Sequence, residues 1–157
     1  MSRSVFSLRL FNGELNAYKA LKNLQGTSIP RYLGHFTMTF DDRELAEDRV
    51  VNVMMLELLD WMSLERAASL FSDTARRHVR EKVLEILSVV YKNGVFLPRI
   101  TADQFIIAKN DNEPRMLGFS RSFDPSEINL TAKERERYRL LHGAAITQLL
   151  DEAGYVC

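Results

Sequence analysis

The sequence predicts an α+β domain on three observations. Apolar residues recur at helical spacing in several stretches, most regularly between 73 and 93. Between those stretches lie short segments rich in β-branched and aromatic residues, some alternating and some continuous. The order is strand, helix, two strands, helices, a hairpin and a last helix, which places a small sheet first and a mostly helical part second.

With 157 residues, 46% of them hydrophobic, the chain has the size of one domain with a substantial core. Twenty-one Lys and Arg balance twenty-one Asp and Glu. That balance argues against a disordered chain and against a nucleic-acid binder, which needs surplus cations to displace counterions. The single cysteine, Cys157, allows neither an internal disulfide nor a cysteine-rich zinc site. No apolar run approaches the roughly 18 residues of a membrane-spanning helix, and Met1-Ser2-Arg3-Ser4 begins no apolar signal segment. A soluble, cytoplasmic protein is expected, with the nucleus left open.

Val5-Phe6-Ser7-Leu8-Arg9-Leu10-Phe11 reads as an opening strand closed by the turn pair Asn12-Gly13. A helix follows from Glu14 to Leu24, with Leu15, Tyr18, Leu21 and Leu24 on one stripe and Gly26 as its stop. Ile29 to Phe40 reads as a strand whose later half alternates large apolar with small polar residues. The charged run Asp41 to Arg49 reads as a turn. Val50 to Leu59, almost continuously apolar, reads as a strand covered on both faces. After Asp60-Trp61-Met62 the character becomes helical. Ser63 is placed to cap a short helix carrying Leu64, Ala67, Ala68 and Leu70. Asp73 or Thr74 is placed to cap a longer one, with Val79, Val83, Ile86, Leu87 and Val90 in its stripe and Asn93-Gly94 at its end. Phe105-Ile106-Ile107 and Arg115 to Phe119 form a hairpin around the turn-rich Lys109 to Pro114. The last helix starts at Thr131, whose capping-box partner is Glu134, and runs to about Glu152. Its Tyr138, Leu141, Ala145 and Leu149 are expected to pack near Val83 and Leu87.

Several segments occur in a telling order. They are Glu14-Leu15-Asn16-Ala17-Tyr18, Ile29-Pro30-Arg31-Tyr32-Leu33-Gly34, Val53 to Asp60, Tyr91-Lys92-Asn93-Gly94-Val95, Gln104-Phe105-Ile106-Ile107 and Met116 to Ser120. The series resembles the protein-kinase fold, especially the short kinase-like chains of filamentous fungi. The resemblance covers about residues 5–120, with 42 residues from Glu57 to Arg99 and 19 more to Gly118. It implies a truncated kinase-like domain with a small sheet lobe (1–59) and a helical lobe (60–157). A vestigial nucleotide cleft would then lie among Arg9, Glu14, Glu57 and Gln104.

Phosphoryl transfer depends on positioned charge, so the identities at these places matter. No G-x-G-x-x-G loop occurs. Arg9 falls where the strand Lys of the family would be, and Glu14 follows it too closely for the usual ion pair. Gly94-Val95-Phe96-Leu97-Pro98-Arg99-Ile100 is similar to the family's catalytic loop, with Arg99 at the catalytic Asp. Gln104 stands at the metal-binding Asn, and Gly118 at the magnesium-binding Asp of Gly118-Phe119-Ser120. A guanidinium neither accepts a proton nor attracts a metal. No Ala-Pro-Glu segment follows, and only one long helix remains.

Other candidates have plainer readings. Asp103 and Asp124 suit turns, and His35, His78 and His142 lack metal-ligand spacing. Arg76-Arg77-His78-Val79-Arg80 adjoins Glu81 and Glu85 as a solvated face, Trp61 and Met62 suit a core rim, and Cys157 has no evident base. The resemblance therefore implies a catalytically inactive pseudokinase with no bound metal or cofactor. It would bind an unidentified protein partner and be open to self-association through an uncovered sheet edge. The alternatives are an atypical small-molecule phosphotransferase and a decayed fragment without stable function.

Overall fold

The computed structural model describes residues 3–42, 47–123 and 130–156. Within them the chain is α+β, with four α-helices and two small antiparallel sheets. Helix α1 (Arg3–Ala20) leads through a 3₁₀ turn (Lys22–Leu24) to strands β1 (Tyr32–Asp42) and β2 (Glu47–Leu56). Strand β3 (Trp61–Ser63) and helices α2 (Leu64–Leu70) and α3 (Asp73–Lys92) come next. Strands β4 (Phe105–Ala108) and β5 (Pro114–Met116) precede helix α4 (Ala132–Glu152).

The apolar stripe of α3 organises the core. Val79, Val83, Ile86, Leu87 and Val90 are all buried, as their spacing predicts. Ser72, one residue before the expected cap, accepts from the Ala75 N–H. Asn93 and Gly94, at φ +79°, close the helix. Around α3 pack Tyr18, Leu21 and Ile29 from the first part of the chain, Leu64 and Ala67 of α2, the β4–β5 hairpin, and Ile146 and Leu150 of α4. This core is continuous across residues 59 and 60.

Ser63 caps α2, and the Thr131–Glu134 capping box forms at α4. On α4, Tyr138 and Leu149 pack against the core as expected and Ile146 and Leu150 are enclosed with them, while Leu141 and Ala145 are exposed. In α2, Leu70 also faces solvent.

The predicted strand at 5–11 is instead helical, and α1 runs through Asn12-Gly13 without interruption. This glycine makes room for a neighbour. A Cβ on Gly13 would lie 3.0 Å from the Ser122 carbonyl oxygen and 3.1 Å from that of Ser120. Ser122 Oγ in turn donates to the Gly13 carbonyl at 3.0 Å. Tertiary contact therefore decides a pair of residues that, read locally, signals a turn.

Trp61–Ser63, given no strand by the sequence, pairs with β4 as the edge of a three-stranded sheet in the order β3–β4–β5. Strands β1 and β2 form a hairpin of their own, with backbone pairing reaching Asp42 and Glu47 inside the expected turn. Residues 43–46 of that turn lie outside the described residues. Directly paired residues share a face, so Phe36 and Val53, then Met38 and Val51, stack into one apolar stripe. That stripe is uncovered: Phe36, Met38 and Phe40 are 41%, 39% and 47% exposed. The expected double cover over Val50 to Leu59 is likewise absent, since Val50, Val51 and Met55 are exposed and β2 ends at Leu56. Among the described residues, the hairpin packs on the core through its base, at Tyr32, Met54 and Leu56. Among the described residues, no helix is long and apolar enough to cross a membrane.

Candidate functional site

Three of the positions singled out in the sequence come together. The 3₁₀ turn Ala102–Gln104 sets Gln104 between the loop after α3 and strand β4. Its side chain works as a clasp. Gln104 Oε1 accepts from the Thr101 N–H at 2.9 Å, and Nε2 donates to the Gly118 carbonyl at 3.0 Å. The backbone tightens the same link, because the Leu117 N–H donates to the Gln104 carbonyl at 2.7 Å. Gly118 holds φ +74°, a left-handed conformation that disfavours a side chain even though a Cβ would meet only ordinary contacts.

Glu14 reaches the adjoining residue from α1. Its half-buried carboxylate accepts a hydrogen bond from the Phe119 backbone, and burial holds its pKa above the ordinary carboxylate range against that bond. One turn on, Tyr18 packs edge-on against Phe119 with ring centroids 5.6 Å apart. Tyr18 is fully buried, and its hydroxyl has no hydrogen-bond partner among the described residues. Desolvation, with the Glu14 charge second, pushes that hydroxyl's pKa upward. Glu14, Tyr18, Phe119, Gly118 and Gln104 are thus one connected cluster between α1 and the end of the β4–β5 unit.

The other expected positions stand apart from it. Arg9 is on a helix rather than a strand, and five residues of helix place it about 140° around α1 from Glu14. It lines a groove with Asn93 and Gly94. Glu57 fastens the hairpin's base. Its Oε2 accepts from the Arg31 N–H at 3.0 Å, while its own N–H donates to the Arg31 carbonyl at 2.8 Å. Arg99 is exposed between buried Leu97 and Ile100. Asp103 is exposed beside Gln104, whereas Asp124 and Cys157 lie outside the described residues.

The histidines and the basic run have structural partners. His78 pairs with Glu113 at 2.9 Å, His35 with Tyr32, and His142 with Tyr91 inside an aromatic cluster that includes Phe96 and Tyr138. Burial holds the His142 pKa below its usual value. Arg80 ties α3 to the far end of α4, donating to Asp151 at 2.5 Å and to the Tyr155 carbonyl at 2.7 Å.

The donor set at the cluster does not fit a divalent metal. Gly118 offers no side chain, Gln104 has both ends of its amide engaged, and Glu14 is the one carboxylate of the cluster among the described residues. No group of three or more His, Cys, Asp or Glu among the described residues is arranged to hold one. Sequence reasoning named Tyr18 and Phe119 without their contact, and it missed the Ser122–Gly13 bond. Small residues at Gly13, Ala17 and Ala20, spaced for one helix face, are the signal for that bond. No family model matches the chain, and a search of curated proteins finds no match.

Proposed function

We propose that this protein is a catalytically inactive, kinase-like binding module. One observation carries the proposal: the Gln104 amide, at the position expected to hold metal, is engaged as a clasp between Thr101 and the Gly118 carbonyl. Arg99, at the expected catalytic Asp, is exposed and cationic. The kinase-like fold is supported by the order helix, hairpin, short strand, two helices and hairpin, and by the meeting of Glu14 with Phe119. A cytoplasmic location agrees with a chain that holds no cysteine pair. Binding to a protein partner is supported by the uncovered Phe36–Met38–Phe40 stripe and the unpaired outer edges of the two-stranded hairpin.

Thermal unfolding with and without magnesium and ATP tests this reading. A ligand present at about 100 times its Kd adds about 2.7 kcal/mol of stability, which a small domain registers as a rise of many degrees. The expected result is no rise at millimolar nucleotide and no magnesium-dependent phosphotransfer. A rise accompanied by turnover, with both lost in Gln104→Ala, would overturn it.

A further inference from the structure

We propose that the groove between α1 and the corner after α3 binds the free carboxylate end of a short peptide. The groove encloses about 530 Å³, within the range of small-molecule sites. It lies on a different side of α1 from Glu14, so the inference does not rest on the kinase-like reading.

Arg9, Asn12 and Asn16 line it from one helix face, at relative positions i, i+3 and i+7. Their Cα atoms rise by about 4.5 Å and then about 6 Å along the axis. Gly13, packed against Ser122, and buried Ala17 line the groove beside them. The opposite wall is already fixed by bonds. Phe123 exchanges two backbone hydrogen bonds with Phe96, at 2.9 and 3.1 Å, and Asn93 Nδ2 donates to the Val89 carbonyl at 2.8 Å.

The recognition groups, by contrast, are available. Among the described residues, the Arg9 guanidinium has no ion pair, and the Asn12 and Asn16 carboxamides have no hydrogen bond. Among the described residues, no acidic side chain lines the space, and Arg9 is the one charged side chain that does. A guanidinium fork matches a planar carboxylate with two parallel N–H···O bonds. Each carboxamide offers a donor and an acceptor, the complement of a peptide unit. A carboxylate at Arg9, with peptide groups following toward Asn12 and Asn16, uses all three. Two sources share this chemistry: a free oligopeptide and the C-terminus of a folded protein.

Amide NMR spectra of the full chain, titrated with N-acetyl-trialanine as the free acid, test the proposal. Sodium acetate, the C-terminal amide of the same peptide, and a small carrier domain ending in three alanines form the other arms. The free acid is expected to shift amides of residues 8–20, 93–95 and 122–123 with Kd about 1 mM or tighter, and the amide to bind about tenfold more weakly. Arg9→Gln is expected to weaken the free acid about tenfold, whereas the double variant Asn12→Ala with Asn16→Ala weakens the peptide and leaves acetate unchanged. These positions are exposed on a helix, so the fold is expected to survive, and an unchanged spectrum elsewhere checks it. Binding of the carrier tail assigns the site to protein chain ends, and its exclusion assigns it to free peptides. Equal binding of acid and amide, or no shift in this region at about 10 mM peptide, would overturn the proposal.

Discussion

A carboxyl group half-buried beside Tyr18 and Phe119 loses part of its hydration, and at Glu14 one backbone N–H replaces it rather than a cation. The folded protein therefore holds the Glu14 proton more tightly than the unfolded chain, whose pKa has the ordinary value of 4.5. The sign follows from linkage. In the interval above pH 4.5 the native state binds the extra proton, so this group's contribution is fully present below 4.5 and declines as pH rises through the raised native value. Glu14→Gln keeps an oxygen to accept the Phe119 bond and cannot ionise. Urea unfolding at a series of pH values is expected to show the variant gaining on the native protein as pH rises from 4.5 through the raised native value, then a constant difference. A difference independent of pH would mean that Glu14 is solvated in the folded state.

At the scale of elements, two glycines inside helices make opposite demands. A Cβ on Gly13 in α1 would press on the backbone carbonyls of Ser122 and Ser120 at 3.0 and 3.1 Å, whereas a Cβ on Gly143 in α4 meets nothing within 4 Å. Helix propensity alone favours alanine over glycine by about 1 kcal/mol at either place. Gly143→Ala is therefore expected to raise the urea midpoint by up to that amount. Gly13→Ala is expected to lower it, because displacing packed backbone costs about 1–3 kcal/mol and exceeds the propensity gain. The same contrast explains what the sequence revealed. The α3 stripe, the Ser63 cap and the Thr131–Glu134 box are set by residues within a turn or two, and all three were legible. The part of helix α1 before Glu14 was not, because Asn12-Gly13 reads as a turn until Ser122, more than 100 residues away, is placed against it. Strand β3 was missed for a related reason. Three residues carry no period of their own, and Trp61–Ser63 is extended because β4 lies beside it. At the candidate site, Glu14, Gln104 and Gly118 were visible as isolated positions, but the bond from Gln104 to the Gly118 carbonyl depends on how the loop and the hairpin close together.

For the molecule as a whole, the consequential asymmetry is between one continuous core and a hairpin attached to it by its base. Leu87 lies inside the core, 3% exposed, while Phe36 and Met38 face outward from a sheet of two strands. Alternation in the sequence correctly gave β1 an apolar face, but nothing local specifies whether another layer covers that face. An isolated hairpin is marginal in water, and its apolar face is an expense of free energy unless something else shields it. Folding and binding should therefore separate by mutation. Phe36→Lys combined with Met38→Lys is expected to leave the unfolding free energy within about 0.5 kcal/mol of the native value, since neither side chain packs on the core. The same pair is expected to reduce fluorescence of an apolar dye and any concentration-dependent sedimentation of the native chain. Leu87→Ala should do the reverse, costing about 2–5 kcal/mol by opening a cavity while leaving dye binding to the folded form unchanged. If the double lysine variant lost stability on the scale of Leu87→Ala, the hairpin would be part of the core's cooperative unit, and its apolar face would be unavailable to a partner.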